Sequence, residues 1–303
     1  MSRILIAGCG YVGTALGLAL VERGEEVVAL RRRSEGLPRE LEAVTADLCS
    51  PATLERIAEP FDAVFYTAAA ESGDDEGYRR AYVEGLSNLI AVVERSPAPR
   101  RLFLCSSTRV YPQTGGEWID EDSPTAAIDF RSHRLLEGEA LATGAPFATT
   151  IVRLAGIYGP GRDRLLRRLL EGAPLAAGNS QRYTNRIHRD DCVGILLHLL
   201  DLQDPADLYL GVDGEPSRLE TMQRWLRARV SDEGQGAGSD SGTVPPSPRE
   251  GAVAPPPAEP ASNKRCSNAR LVATGYEYRF PTFREGYAAL LRDRRCAETE
   301  LVK

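Results

Sequence analysis

The chain has 303 residues, 42% of them hydrophobic, and a formal net charge of −6. That size buries a sizeable core in one large domain or two coupled ones, and the acidic excess excludes the basic surface that a nucleic acid or anionic membrane needs. The six cysteines are scattered without a CxxC or a Cys/His pairing, and "MSRILIAGCG" lacks the layout of a signal peptide. The expectation is a reduced, cytoplasmic, soluble protein with no structural metal and no membrane span.

In chain order, "RILIAG" is a short apolar strand that stops at glycine, and "YVGTALGLALVERG" has helical spacing. "EEVVAL" and "LEAVTADL" read as the second and third strands, with "ATLERIAE" a short helix. "FDAVFYTAAA" is a fully apolar fourth strand, followed by one long helix over "YRRAYVEGLSNLIAVVERS". "RRLFLCSS", the helix "FRSHRLLEGEALATG" and the strand "FATTIVRLA" continue the alternation. Near-continuous apolar strands alternating with helices predict an α/β fold, a parallel doubly wound sheet.

Past "AGIYGPGR" the pattern is less regular. "DRLLRRLLEG", "DDCVGILLHLLD" and "LETMQRWLRARV" read as helices, and "DLYLGVDG" as a strand. Residues 231–262, rich in Pro, Gly and Ser with few large apolar residues, predict a disordered insertion. Structure resumes at "NKRCSNARLVATGYEYRFPTFREGYAALL", where Ser267 is placed to cap a short helix that Gly275 ends, before an amphipathic helix.

"IAGCGYVG" sets Gly8, Gly10 and Gly13 in GxGxxG spacing between the first strand and first helix. Gly8 permits the tight turn, Gly10 admits a pyrophosphate to the backbone, and Gly13 lets helix pack on strand. Tyr11 and Val12 open the helix, whose free N–H groups and positive dipole end suit phosphate. These features predict a dinucleotide-binding Rossmann-type domain over 1–160, with a further contribution from about 183–202. A smaller substrate-binding part then occupies 161–303.

The second strand ends "VVALRRR", which puts Arg31 where an NAD-binding chain usually offers a carboxylate to the ribose. Arginine suits a 2′-phosphate, so the expected cofactor is NADP, with NAD the alternative. The same arginines also read as a solvated turn. Asp47 ends the third strand, where it meets an adenine amino group or caps the helix near Pro51. Leu48 beside it, and Ala68 and Ala69 after the fourth strand, complete the candidate cofactor lining.

"LFLCSSTRVYPQTGGEWIDEDSP", "IVRLAGIYGPGR" and "NRIHRDDCVGIL" together resemble the signature segments of the extended short-chain dehydrogenase/reductases, the NAD-dependent epimerase/dehydratase group. With the glycine motif, the resemblance covers nearly the whole chain outside 231–262. The AGxG form, "SSTRVY" and "NKRCSNARL" resemble atypical members most. The resemblance implies that Ser107, with Ser106 and Thr108 beside it, hydrogen-bonds the reacting oxygen. It implies a tyrosine proton donor where this chain has Phe130, and a cofactor-clamping lysine where it has Arg134. It also implies a homodimer through helices around 78–95 and 130–142.

A phenyl ring has no proton to give, and Arg134 holds a ribose and supplies charge but cannot shuttle protons. Candidates to replace the acid are His133, about 100° around the helix from Arg134, and Tyr111 of the "VY" pair. His188 either borders the cleft or is structural, with Asp190 capping the next helix. Glu117, Asp120, Glu121 and Asp122 read as an acidic, mostly solvated loop. Arg186, Lys264 and Arg265 together either meet an anionic substrate or lie on the surface.

Two readings of function follow. In the first, the chain is an NAD(P)-dependent oxidoreductase or epimerase/dehydratase acting on a carbonyl or hydroxyl of a small molecule or nucleotide sugar. Ser107 and Arg134 carry the site, and a bound water or substrate group manages the proton. In the second, Phe130 marks a non-catalytic dinucleotide-binding redox sensor or scaffold.

Overall fold

The computed structural model describes residues 1–57, 60–95, 97–174, 181–234 and 262–301. Its centre is a parallel sheet of β1 (Arg3–Ala7), β2 (Glu26–Arg31), β3 (Glu42–Thr45), β4 (Ala63–Tyr66), β5 (Arg101–Ser107), β7 (Ala148–Leu154) and β11 (Leu208–Gly211). The sheet is parallel, as the strand–helix alternation predicts, and its spatial order is β3-β2-β1-β4-β5-β7-β11. The order reverses beside β1, so the crevice for a ligand opens at the carboxyl ends of β1 and β4.

The strands read as unbroken apolar runs because both faces are covered. Ile4 and Ile6 face a core shared with Leu16 and Leu20 of α1 (Tyr11–Glu22) and Leu196 and Leu199 of α7 (Arg189–Asp201). Leu5 and Ala7 face the opposite core. There they meet Leu54 of α2 (Pro51–Leu54), Leu86 and Leu89 of α4 (Gly85–Val93), and Ala142 of α5 (Phe130–Thr143). Each such leucine or isoleucine, taken from water, stabilises the fold by about 1.5–3 kcal/mol.

The long helix expected over 78–95 is not one regular helix. It runs as α3 (Asp75–Arg79), a π-helical turn at Arg80–Glu84, and then α4. The Gly85 N–H returns to the Arg80 carbonyl. The buried Tyr66 hydroxyl donates to the freed Ala81 carbonyl at 2.5 Å. A partner inserted from the sheet thus holds the turn open. Gly138 of α5 lies so close that an added Cβ would stand 2.3 Å from the Tyr82 carbonyl oxygen.

The C-terminal part has its own core. Leu166 and Leu169 of α6 (Arg164–Leu170) pack with Met222 and Leu226 of α8 (Leu219–Gly234) and with Phe283, Tyr287 and Leu290 of α10 (Phe283–Leu301). Between the halves lie three two-stranded pairs: β8 (Gly156–Tyr158) with β10 (Arg186–His188), β9 (Tyr183–Thr184) with β12 (Ser217–Arg218), and β6 (Glu117–Ile119) with β13 (Lys264–Cys266). The first layer therefore extends past 202, since β11 pairs with β7. Helix α8 runs to Gly234, into the stretch expected to be disordered, and residues 235–261 of that stretch lie outside the described residues. Ser267, two residues before the short helix α9 (Ala269–Val272), accepts from the Ala269 N–H at 3.3 Å, and Asn268 holds the N-cap position. Gly275 follows at φ +89°. No helix among the described residues is long and apolar enough to cross a membrane.

Candidate functional site

A cleft of about 800 Å³ runs along the carboxyl ends of the strands, from Arg31 and Asp47 past the glycine turn to Ser107. Gly8 holds φ +85°, and a Cβ there would lie 2.4 Å from the Ala68 backbone. Both the turn and the approach of β4 therefore require glycine. At Gly13 a Cβ would meet Thr67 Oγ1 at 2.6 Å, so helix α1 sits hard against the sheet. Gly10 is different: its nearest neighbour would be the Gly8 oxygen at 3.8 Å, leaving the backbone bare toward the cleft. Helix α1 starts there with neither a capping side chain nor an acidic residue in its first turn. Gly8, Gly10, Tyr11 and Val12 line the cleft and Gly13 stands behind it. The cradle fits a pyrophosphate, which would take the N–H groups that nothing else caps.

At one end, Arg31, Arg32, Arg33 and Arg80 gather around Asp47 and Glu71. Arg32 pairs with Glu71 at 2.5 Å and Arg80 lies 3.6 Å from Asp47. Arg31 has no carboxylate partner among the described residues, so its fork is available to an anion. Asp47 does not cap α2; its carboxylate accepts from the Cys49 N–H at 2.9 Å and keeps lone pairs toward the cleft. Leu48, Ala68 and Ala69 line the same wall.

At the other end, strand alternation puts Cys105 and Ser107 on one face of β5. The Ser107 oxygen accepts from the Arg109 N–H at 3.2 Å, which leaves its O–H to donate into the cleft. Ser106 is tied down: its hydroxyl donates to Glu139 at 2.5 Å. Glu139 also receives Arg153 Nε at 3.0 Å and Nη2 at 2.6 Å, and Arg153 Nη1 reaches the Tyr111 hydroxyl at 2.7 Å. This buried network lies behind Ser107 and was not foreseen from the sequence.

The expected clamp is elsewhere. Arg134 does not line the cleft. It grips Asp75 at 2.8 and 3.0 Å and Glu137 at 2.9 Å, because those carboxylates compensate its charge where α5 meets α3. Phe130 meets Tyr78 edge-on at 5.8 Å and carries Arg131 over its ring at 4.5 Å. Between them, Ser132 closes a capping box with Asp129, accepting from its N–H at 3.0 Å while its own N–H donates back at 2.7 Å. Burial works against the Asp129 charge, yet the Arg109 guanidinium and the Ser132 donors hold that carboxyl down at about 2.

None of the substitutes named for the missing acid reaches the cleft. His133 is exposed on the outside of α5, and Tyr111 is 1% exposed and held by Arg153. His188 is buried, and it, rather than Asp190, caps α7: its Nδ1 accepts from the Asp190 N–H at 3.2 Å. Burial among Tyr158 and Phe280 drives its pKa to about 4, so it stays neutral. Glu121 is not solvated but buried, where it accepts from the Leu210 N–H at 2.9 Å. Arg186, Lys264 and Arg265 do not converge on the cleft. Arg186 donates to Met222 Sδ, Lys264 to the Tyr111 carbonyl at 2.6 Å, and Arg265 to the Gly116 carbonyl at 2.8 Å while stacked on Trp118 and Tyr183. Among the cleft residues that sequence reasoning missed is Tyr82, on the π-helical turn.

Comparison with known proteins places this geometry. The NAD dependent epimerase/dehydratase family matches residues 4–210. A solved structure from Methylobacillus flagellatus, assigned as an NAD-dependent epimerase/dehydratase, is 36% identical, covers 97% of this chain and 99% of its own, and gives a TM-score of 0.77. The 2-alkyl-3-oxoalkanoate reductase of Stenotrophomonas maltophilia is 29% identical over 252 residues, 76% of either chain. Short-chain dehydrogenase/reductase family 42E member 1 of Xenopus laevis is 28% identical over 191 residues, 55% of this chain and 49% of that protein. The match thus spans about half the length of that relative.

Proposed function

Because this chain belongs to the NAD dependent epimerase/dehydratase family, we propose that it is an NADP(H)-dependent oxidoreductase or epimerase/dehydratase acting on a carbonyl or hydroxyl of a small molecule or nucleotide sugar. One observation carries the reading. A single cleft joins an uncapped glycine turn and an unpaired Arg31 to a serine hydroxyl free to donate.

The bound dinucleotide would supply reversible hydride chemistry at its nicotinamide. The chain's own groups do the rest. The backbone around Gly10, Tyr11 and Val12 receives the pyrophosphate, Arg31 the 2′-phosphate, and Asp47 and Leu48 the adenine. Ala68 and Ala69 form the wall beside it. The Ser107 O–H donates to the substrate oxygen and stabilises the charge that builds there. Arg134, held by Asp75 and Glu137, contributes no contact to this reading.

Replacing Arg31 tests the cofactor preference. An Arg31→Ala variant is expected to lose about 10- to 100-fold in NADPH affinity, the worth of charge-assisted hydrogen bonds to one phosphate. NADH affinity is expected to change less than about threefold, since NADH presents no charge there. Calorimetric titration of both nucleotides measures this, and equal losses for the two would contradict the assignment.

Phe130 favours a second reading, a dinucleotide-binding redox sensor or scaffold without turnover. On that reading nucleotide binding persists, and no cleft residue alters a chemical rate.

A further inference from the structure

Resting on the dinucleotide reading above, we propose that the phenol of Tyr82, carried by the π-helical turn, is the proton donor to the substrate's carbonyl oxygen. It does from the wall of the cleft what position 130 lacks a hydroxyl to do.

Tyr82 is half-buried and lines the same cleft as Ser107. It packs against the buried cluster that includes Val110, Leu135 and Ala155, and Ala155 itself lines the cleft after β7. Its phenol oxygen accepts from the Ala70 backbone, which leaves the O–H to donate, and it interacts electrostatically with Cys105, which shares a strand face with Ser107, and with Arg162 of the cleft lining. The two side chains thus line one cleft. A π-helical turn adds a residue to the ring of backbone atoms and re-aims its side chains, a device common at functional sites. Tyr66 and Gly138 build this turn deliberately, one by bonding the freed Ala81 carbonyl and the other by admitting the Tyr82 backbone. Tyr78 then bridges the two positions. Its ring lies 5.3 Å from Tyr82 and 5.8 Å from Phe130, so the hydroxyl has in effect moved two rings inward.

Four other titratable groups of the cleft do not compete. Tyr11 donates its hydroxyl to the Pro160 carbonyl at 3.0 Å. The carboxyls of Glu71, Asp74 and Glu76 are held below the usual range by hydrogen bonds to Arg32, Ser72 and Arg79 respectively, so they are acceptors only.

Burial, aided by Tyr78, pushes the Tyr82 phenol up to about 12. It therefore stays protonated across the neutral range. Arg134 is committed to carboxylates, and the pull of the Ala70 backbone and of Arg162 on the phenol is outweighed by burial. At neutral pH such a group stands ready to give a proton to a forming alkoxide, while its base form is scarce. In the step, the carbonyl carbon takes up a hydride from the reduced pyridine nucleotide. The C–O π bond breaks, and the proton leaves Tyr82 Oη for the substrate oxygen. Tyr82 remains as a phenolate and regains a proton from water at the cleft mouth.

The test uses full-length protein, NADPH, and cyclohexanone, acetophenone and a 3-oxoacid as probes. For any probe the wild type reduces, Tyr82→Phe is expected to lower kcat at least about 100-fold, the usual contribution of a general acid. NADPH affinity should stay within about threefold and KM should change little. A second readout does not depend on turnover. With 3-fluorotyrosine installed at position 82, its fluorine resonance is expected to shift saturably as NADP+ is added, along the calorimetric binding curve. Full turnover by Tyr82→Phe, or a resonance indifferent to NADP+ that calorimetry shows to bind, would overturn the proposal while leaving the dinucleotide reading intact. If the wild type reduces none of the probes, the fluorine resonance alone decides. A wild type that binds no nucleotide would instead remove the reading on which the proposal rests.

Discussion

A Gly10→Ala variant is expected to melt within a few degrees of the wild type and to lose at least about 100-fold in affinity for NADPH. The loss corresponds to two charge-assisted hydrogen bonds at roughly 1.5 kcal/mol each. The separation of stability from binding follows from the space around the residue. A methyl there meets only the Gly8 oxygen at 3.8 Å, so the fold accommodates it. Exchanging glycine for alanine at a helix N-cap costs up to about 1 kcal/mol, a shift of about 2–4 °C for a chain this large. The same methyl occupies the bare backbone that a pyrophosphate would approach. Gly8→Ala cannot make this distinction, since it adds a strained φ to a 2.4 Å clash with Ala68 and damages the fold itself. Thermal melts and calorimetry on Gly10→Ala check both halves. Unchanged NADPH affinity in a folded variant would place the phosphates elsewhere.

Glu139→Gln is expected to cost about 3–5 kcal/mol, because it strands the buried Arg153 guanidinium without its counter-charge. Glu139 is 5% exposed and Arg153 7%, so solvent cannot compensate either group. The expected fall in Tm is roughly 6–20 °C, at about 2–4 °C per kcal/mol. The double variant Glu139→Gln/Arg153→Met should recover much of that loss, since it removes the unpaired charge as well as the pair. Urea or thermal unfolding of the two single variants and the double variant measures the coupling. A Glu139→Gln protein within about 1 kcal/mol of the wild type would mean that the pair is solvated or already weak. Ser106 donates to the same carboxylate, so this network also fixes the strand end that presents Ser107.

The parallel sheet and the glycine turn were legible because their code is local. Ile4, Leu5, Ile6 and Ala7 announce a strand covered on both faces, and Gly8, Gly10 and Gly13 follow it directly. Arg31 was placed by counting along the second strand. What the sequence hid depends on partners far along the chain. Glu121 read as a solvated acid, but its acceptor is used by Leu210, 89 residues on. Arg134 read as a cofactor clamp, yet Asp75, 59 residues away, engages it first. Glu139 lies on a helix with no local sign that Arg153 would rise beside it from β7. Tyr82 escaped notice for a subtler reason. A run of helical spacing from Tyr78 onward reads as one helix, and the extra residue that re-aims Tyr82 comes from a tyrosine on β4 and a glycine on α5. The pattern on any one element could not reveal it.

The central claim is that the cleft between β1, β2 and β4 is a dinucleotide site whose phosphate end prefers the extra charge of NADP(H). Calorimetric titration of the full-length wild type with NADPH tests it most directly. The account predicts saturable heat at one nucleotide per chain, with NADPH tighter than NADH. Absence of saturable heat with NADPH, NADP+, NADH and NAD+ alike would contradict it.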